Sequence, residues 1–373
     1  MAFYLGSNQI DNLNFVTNSD FYNEENAFLQ RSLTQFNSDI TTIGSYAFCE
    51  CDSLISINLS QATTIGSYAF ASCYSLTSIN LPQVTTIESY AFRSCTSLIS
   101  IDLPQATRIE SCGFYYCNTL VSISLPQVTT IKNSAFAFCS TLASINLPQV
   151  TTVGNYAFYS CASLTSVNLP LATTIGSYAF SKCYELAFVQ CSALTIISGS
   201  YTFTVKESQS TTTVYGRFAH CSSLQTVSFP KVQTIHSTAF YQCSYLTSFI
   251  GPSVLTVGGS YRTSRSTYKG KTYRFSIYAG AFAYCYRLSL VSLPQVTAIS
   301  TYAFYRCYNL LSLYLLGSSI PILSATAFYS TPISTYTTST GGVHGSIYVP
   351  ASLYSSYIAA GGWSIYSERI VSV

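Results

Sequence analysis

Leu147 to Asn168 read LPQVTTVGNYAFYSCASLTSVN, and the same 22-residue sentence recurs on both sides of them. Its apolar residues are not spaced for a helix. Cys161, Leu164, Val167 and Leu169 stand three, three and two apart. The last pair, split by Asn168, predicts a short strand with alternate faces. Pro170 ends that strand, because proline cannot donate to a continuing ladder. A second extended piece, Thr173-Thr174-Ile175, leads through Gly176-Ser177 to Ala179-Phe180. No unit has room for a long helix, and none can bury its apolar side alone, so the copies must stack into one solenoid.

The register is strict. Phe48, Phe70, Phe92, Phe114, Phe136, Phe158 and Phe180 follow one another at 22 residues; the series resumes at Phe218 and Phe240, then at Phe282 and Phe304, and ends in a looser copy at Phe328. These are twelve copies. Three residues after each of the first eleven comes a cysteine: Cys51, Cys73, Cys95, Cys117, Cys139, Cys161, Cys183, Cys221, Cys243, Cys285 and Cys307. At a strand spacing of about 4.8 Å, twelve rungs predict a curved slab on the order of 60 Å long.

The pattern CxxLxxIxLPxxxTxIxxxAFxxC, running from about residue 40 to residue 330, resembles the BspA-like leucine-rich repeats of the Treponema pallidum type. That resemblance implies a leucine-rich-repeat arc with parallel strands on its concave side. It also implies an extracellular or cell-surface protein of bacteria or some protists, used for adhesion to host proteins or other cells.

Outside the repeat, residues 1–40 read as an N-terminal cap, with a degenerate Ala27-Phe28 copy and an acidic cluster of Asp20, Glu24 and Glu25 that suits a polar lid over the first open rung. Residues 41–335 form the solenoid, and 336–373 a C-terminal cap. In that cap Ser346 to Val349 predicts a strand, Pro350 opens a short helix over Ala351 to Ala360, Gly361-Gly362 stops it, and Trp363, the only tryptophan, is placed to seal the last rung.

Charged residues are 8% of the chain, so Ser, Thr, Asn, Gln and Tyr must clothe its surface. The net charge of +3 is polarised: residues 1–110 hold ten Asp/Glu and three Arg, and residues 111–373 hold three Glu and thirteen Lys/Arg. No apolar run reaches the roughly 18 residues of a membrane span. The start, MAFYLGSNQIDN, has neither the basic residues nor the apolar core of a secretory signal. Retention inside a cell, another export route and removal of a leader all stay open.

Fourteen cysteines raise the question of disulfides or zinc. No CxxC pair exists, and eleven equivalent thiols stacked in parallel cannot all pair. They are read as inward thiols packing as small hydrophobes with weak hydrogen bonds to turn carbonyls. Of the three off the ladder, Cys49, Cys112 and Cys191, the last takes an inward leucine position. His220, His236 and His344 are scattered, no phosphate loop follows a strand, and GxSxG is absent. The chain is therefore read as no enzyme, with no cofactor and no metal.

Two inserts break the register. After Ile197 the unit adds 16 residues before Phe218, and after Val257 it adds 20 before Phe282. Both fall at the same phase, just after the second extended segment, so both loops should leave one face two rungs apart, about 10 Å. The first, Gly199 to Gly216, predicts a hairpin of SYTFTV and STTTVY around the turn KESQ, which carries Lys206. The second, Gly259 to Gly280, predicts a hairpin of Ser266 to Lys269 and Lys271 to Tyr278 around Gly270. Arg262, Arg265, Lys269, Lys271 and Arg274 stand there among Tyr261, Tyr268, Tyr273 and Tyr278. Such interleaving can grip sulfated or sialylated glycans, acidic protein, phospholipid or nucleic acid, or merely keep an exposed hairpin soluble.

Two regular surfaces compete with the hairpins. A polar ladder of Ser56/Asn58, Ser78/Asn80, Ser100/Asp102, Ser122/Ser124, Ser144/Asn146 and Ser166/Asn168 can hydrogen-bond a sugar or peptide. A tyrosine row, Tyr46, Tyr68, Tyr90, Tyr156, Tyr178 and Tyr302, can stack on itself or on a ligand. The leading functional reading is an adhesin-like binding scaffold for a protein or glycan on a host or neighbouring cell. A structural or assembly protein, for example a phage- or mobile-element-encoded spacer, is the second. Nucleic-acid binding through the basic hairpin is the weaker third.

Overall fold

The computed structural model describes residues 3–5, 8–10, 33–37, 39–197, 199–206, 209–268, 271–334 and 344–373. The N-terminal acidic cluster and the Ala27-Phe28 copy lie outside them. The fold is a β-solenoid of about 13 turns with 5% helix, carried in two compact units, Met1–Tyr184 and Glu185–Val373.

In the first unit every turn contributes one strand to each of two walls. One wall carries Ser56–Asn58, Ser78–Asn80, Ser100–Asp102, Ser122–Ser124, Ser144–Asn146 and Ser166–Asn168. Its pairing is parallel and in register by whole repeats, with Ser122 opposite both Ser100 and Ser144. The central Ile or Val of each strand is buried and its Ser and Asn neighbours face outward, because successive side chains alternate across a strand. The other wall is a seven-stranded parallel sheet of two-residue strands running from Thr42–Ile43 to Thr174–Ile175.

Between the walls the phenylalanines form one stack. From Phe48 to Phe180 the ring centroids are 5.1 to 5.3 Å apart and the ring planes nearly parallel. This follows from the period: identical residues displaced by one strand spacing must lie ring over ring. From Cys73 to Cys183 each ladder thiol donates to the phenylalanine carbonyl one rung back, Cys73 to Phe48 at 2.9 Å and Cys161 to Phe136 at 3.1 Å. The ladder thiols form no disulfide and are buried, as the inward reading of the sequence requires.

A feature the sequence did not disclose closes each turn. Around every phenylalanine from Phe48 to Phe180, the residues two before and two after adopt left-handed backbone, for example Tyr68 (φ 59°) and Ser72 (φ 62°) around Phe70, although none is glycine. That conformation costs roughly 1–2 kcal/mol per residue. It aims backbone donors along the stack: Tyr68 N donates to Ser89 O, Phe70 N to Ala91 O and Ser72 N to Arg93 O, at 2.7 to 3.1 Å. The inter-rung bonds offset the strain.

The second unit repeats this plan. A five-stranded parallel sheet orders Ile196–Ile197, Thr234–Ile235, Thr256–Val257, Ala298–Ile299 and Ile322–Leu323. Another orders Ser248–Ile250, Leu290–Ser292, Ser312–Tyr314, Ser346–Val349 and Ile370–Ser372. The strand at Ser346–Val349 lies where the sequence places it. The helix after Pro350 is split into a 3-10 turn, Ala351–Leu353, and an α-helix, Tyr354–Ala359. The last strand, Ile370–Ser372, carries no alternation long enough to be read from sequence; it forms because buried Ile370 pairs with Ile347. Trp363 is buried and its Nε1 donates to Pro321 O at 2.7 Å, while Tyr366 Oη donates to Ala325 O at 3.0 Å. Large apolar rings with one satisfied polar atom thus close the last turn.

Candidate binding surface of the second unit

Both inserts are hairpins, and both have two eight-residue strands joined by two residues. The first pairs Gly199–Lys206 with Gln209–Gly216, and the second pairs Tyr261–Tyr268 with Lys271–Tyr278. In the second, the leading strand begins at Tyr261 and not at Ser266, since the long partner Lys271–Tyr278 offers a ladder of equal length. The first hairpin follows Ile196–Ile197 and the second follows Thr256–Val257. Between these two strands in the sheet lies only Thr234–Ile235. The inserts therefore depart at one phase, two strand spacings apart, about 10 Å.

Lys269 lies outside the described residues. For Lys206, Tyr261, Arg262, Arg265, Tyr268, Lys271, Tyr273 and Arg274 the structure describes strand register and not side chains. The register brings Arg265 opposite Arg274 and Tyr268 opposite Lys271, and it places Arg262, opposite Ile277, three positions along the ladder from the Arg265–Arg274 pair. Lys206 stands opposite Gln209 at the end of the first hairpin. Like charges directly opposite one another destabilise a ribbon unless an anion lies between them.

Each hairpin is rooted by glycine. A Cβ on Gly216 would run into the Thr238 carbonyl oxygen, and one on Gly280 into that of Tyr302, because the ribbon leaves across the backbone of the next rung. Gly216→Ala is expected to lower stability by about 2 kcal/mol, within the range of backbone clashes, as read by urea unfolding. A loss of a few tenths would show that the rung yields freely.

The foot of the second hairpin is a tyrosine cluster. The Tyr278 ring stacks on Tyr305 at 4.3 Å and meets Tyr302 edge-on at 4.7 Å. Tyr305 in turn meets Tyr284 at 5.2 Å and Tyr329 at 6.1 Å; Tyr284 meets Tyr241 at 5.0 Å and Tyr286 at 6.2 Å; Tyr286 stacks on Tyr308 at 5.6 Å. Tyr286, Tyr308 and Tyr329 are 38 to 44% exposed, whereas Tyr305 is buried. Exposed Arg306 lies over the rings of Tyr305 and Tyr284, at 5.3 and 5.6 Å. Exposed Arg287 lies over Tyr245 at 3.9 Å. Among the described residues neither guanidinium has a carboxylate within ion-pair distance.

Burial pushes the Tyr305 phenol up to about 12, reinforced by the neighbouring Tyr284 and opposed by Arg306. Tyr284 and Tyr286 are raised by burial as well. The cluster therefore stays a neutral surface of hydroxyl donors and ring faces, with arginine as its charge.

Of this cluster the sequence reading singled out Tyr278 and Tyr302 only. Tyr241 and Tyr305 follow the repeat phenylalanine by one residue, Tyr284 and Arg306 by two, and Tyr286 and Tyr308 follow the repeat cysteine by one. Tallying each phase of the last repeats for tyrosine could have found them.

The two regular surfaces are placed as follows. The Ser/Asn ladder faces outward along the first unit, and at its start Asn80 Nδ2 donates to Asn58 Oδ1 at 2.8 Å. The tyrosine row is broken by Cys112 and Ser134 into short stacks, Tyr46–Tyr68–Tyr90 at 4.8 and 4.6 Å and Tyr156–Tyr178 at 4.3 Å. Within those stacks the ring faces are occupied by one another.

A solenoid of parallel two-wall turns, with leucine and isoleucine inward and a strand ended by proline in most repeats, defines a leucine-rich-repeat protein. The chain belongs to the BspA-type leucine-rich repeat family: the BspA type leucine rich repeat region, six copies, matches residues 21–126, 107–216 and 275–345. The family is one of non-enzymatic repeat scaffolds.

Similar solved structures include a leucine rich cell surface protein from Faecalibacterium prausnitzii, 23% identical, covering 100% of this chain and 94% of that one with a TM-score of 0.48. The leucine rich repeat protein of T. pallidum is 26% identical over 52% of this chain and 78% of that one, TM-score 0.39. The pneumococcal vaccine antigen PcpA is 15% identical over 91% and 87%, TM-score 0.44. No curated protein matches. Among the described residues no helix is long and apolar enough to cross a membrane, and no three metal-ligating side chains gather.

Proposed function

We propose that this protein is an adhesin-like binding scaffold, displayed at a cell surface, that recognises a protein or glycan on a host or neighbouring cell through the hairpin-bearing face of its second unit. The observation that carries the reading is the pair of equal-length hairpins leaving one phase of the repeat two rungs apart. An otherwise regular scaffold gains nothing in stacking from such inserts, and loops held by a rigid scaffold are where binding residues concentrate. The basic and tyrosine content of the second hairpin, Tyr261, Arg262, Arg265, Tyr268, Lys269, Lys271, Tyr273 and Arg274, with Lys206 of the first, supplies the ligand contacts.

An array of extracellular-matrix proteins and cell-surface glycans, probed with the full chain and with a variant in which Arg262, Arg265, Lys269, Lys271 and Arg274 are Ala, tests this. Binding by the parent and a loss of about 10-fold or more in the variant is expected, each charged contact at an interface being worth about 1 kcal/mol or more. Equal binding by both would remove the hairpin from the site.

The charge distribution favours assembly as a second reading. Residues 1–184 hold ten Asp/Glu and five Lys/Arg, and residues 185–373 hold three Glu and eleven Lys/Arg. A chain that docks head to tail would be oligomeric at low salt in light scattering and monomeric at high salt.

A further inference from the structure

The second unit contains a surface that the hairpin reading does not use. We propose that the terrace formed by Tyr284, Tyr286, Tyr305, Tyr308 and Arg306, bounded on one side by Tyr278 at the root of the second hairpin, is a docking surface for an acidic protein segment carrying apolar side chains between its carboxylates. The inference rests on the scaffold reading above and names the class of partner.

Three observations converge on that partner. The first is the terrace itself, where rings from two successive turns and from the root of the second hairpin touch at 4.3 to 6.2 Å and present Tyr286 and Tyr308 at 38 and 44% exposure. Stacking between rungs would account for a column at one phase of the repeat. It does not account for rings drawn from three different phases and from the root of an insert. Tyrosine gives large contact area with only two rotatable side-chain bonds to order, which is why it dominates protein-recognition surfaces together with arginine.

The second is unanswered charge. The Arg306 guanidinium lies over the rings of Tyr305 and Tyr284, and that of Arg287 over Tyr245, with no carboxylate within ion-pair distance of either among the described residues. An arginine laid on aromatic rings keeps its guanidinium edge pointing outward, where it can take a carboxylate in two parallel hydrogen bonds. The second unit as a whole holds eleven Lys/Arg against Glu185, Glu207 and Glu368, so its field steers acidic partners toward this surface.

The third is the neutral state of the phenols. Tyr284, Tyr286 and Tyr305 are all raised by burial, so the terrace donates hydrogen bonds at neutral pH and offers no competing negative charge. A protein segment is favoured over a sulfated glycan because the exposed area, Tyr286 and Tyr308, is aromatic and surrounds a single guanidinium, that of Arg306, whereas a sulfated chain calls for a row of cations. It is favoured over a second copy of this chain because the apolar neighbours of Glu88, Asp102 and Glu110, namely Ile87, Ile101, Leu103 and Ile109, are buried, and Glu110 is already paired with Arg108.

The test pans a phage-displayed random peptide library against the full chain at roughly physiological ionic strength, about 0.15 M. Enriched peptides are then measured against Arg306→Gln, the double variant Tyr286→Ala, Tyr308→Ala, and the hairpin Lys/Arg→Ala variant. Because the three terrace positions are exposed, unchanged thermal unfolding verifies that the variants fold. Peptides mixing Asp or Glu with apolar residues, bound about 10- to 30-fold more weakly by both terrace variants, are expected.

Peptides without acidic residues, no enrichment, or binding indifferent to Arg306→Gln would overturn the proposal. Loss of heparin binding in the terrace variants without any peptide ligand would overturn it in favour of a glycan. A low-salt dimer abolished by the same variants would overturn it in favour of self-association. Array binding lost only in the hairpin variant would leave the scaffold reading standing while the terrace fell. Absence of binding to array and library alike would remove both.

Discussion

Stability is expected to fall steeply between about pH 9 and about pH 11, far enough to unfold the protein, and the cause is its buried thiol ladder. Burial holds the thiols of Cys95, Cys139, Cys161, Cys183, Cys243, Cys285 and Cys307 well above their ordinary value of 9.0, and pushes Cys191 up to about 12. For such a group the unfolded chain releases its proton first as the pH rises. The unfolded state then binds fewer protons than the folded one, and stability falls with increasing pH until the folded value is reached. Below the ordinary thiol value this contribution is fully present. Each fully buried thiol can remove up to about 1.4 kcal/mol per pH unit above that point, against a total stability on the order of 5–15 kcal/mol, so a few of them suffice.

The measurement is a urea unfolding midpoint at about pH 8 and about pH 10, accompanied by iodoacetamide labelling read by mass. At the lower pH only the half-buried Cys49 and Cys112 are expected to react, and slowly, since burial also raises Cys49 to about 11. At the higher pH the ladder is trapped as it opens. A double variant, Cys161→Ala with Cys183→Ala, should flatten the slope by up to about 3 kcal/mol per pH unit. Midpoints equal at the two pH values would end this account.

Phe158→Ala is expected to destabilise the first unit by about 3–5 kcal/mol, the range for truncating a fully buried phenylalanine. Phe158 is completely buried, with ring centroids 5.3 Å from Phe136 and 5.2 Å from Phe180. Truncation removes the contacts of two stacked faces at once, and the neighbouring rings cannot close the gap, because their spacing is set by backbone bonds such as Phe136 N to Ala157 O and Phe158 N to Ala179 O, both 2.8 Å. In a solenoid each turn touches only its neighbours, so the damage is local and splits the stack into two shorter ones. Denaturation should therefore change from one transition to two, and hydrogen exchange should speed up between residues 136 and 180 before it does elsewhere. A loss under about 1 kcal/mol with a single transition would sink the idea.

Much of the architecture was legible because translation symmetry is written directly in sequence. Residues 22 apart occupy equivalent sites, so a column of Phe, Cys, Leu or Ile is a core column whatever the path of the chain. The hairpins were legible for the converse reason, since an insert is measured against a fixed period. The second hairpin was drawn too short in its leading strand: Thr263 to Arg265 carry little alternation of apolar and polar residues, and only pairing with Arg274 to Ser276 makes them strand. The C-terminal helix was drawn as one element, and Ile370–Ser372 was not drawn at all, because each is set by packing on the last turn.

The candidate site divides along the same line. The basic and tyrosine content of the second hairpin is a matter of composition, and the sequence by itself places it on one face with the first hairpin. It also determines the family, the inward thiols and the outward Ser/Asn ladder. Only the tertiary structure decided which columns lie side by side. Periodicity says that Tyr305 sits one turn beyond Tyr284's column neighbours; it does not say that Tyr278, Tyr284, Tyr305 and Arg306 meet. That adjacency depends on how each turn closes. The closure is made by non-glycine residues held in left-handed backbone, such as Tyr284 and Arg306 themselves (φ 64° and 57°), against their own preference and by bonds to the next rung.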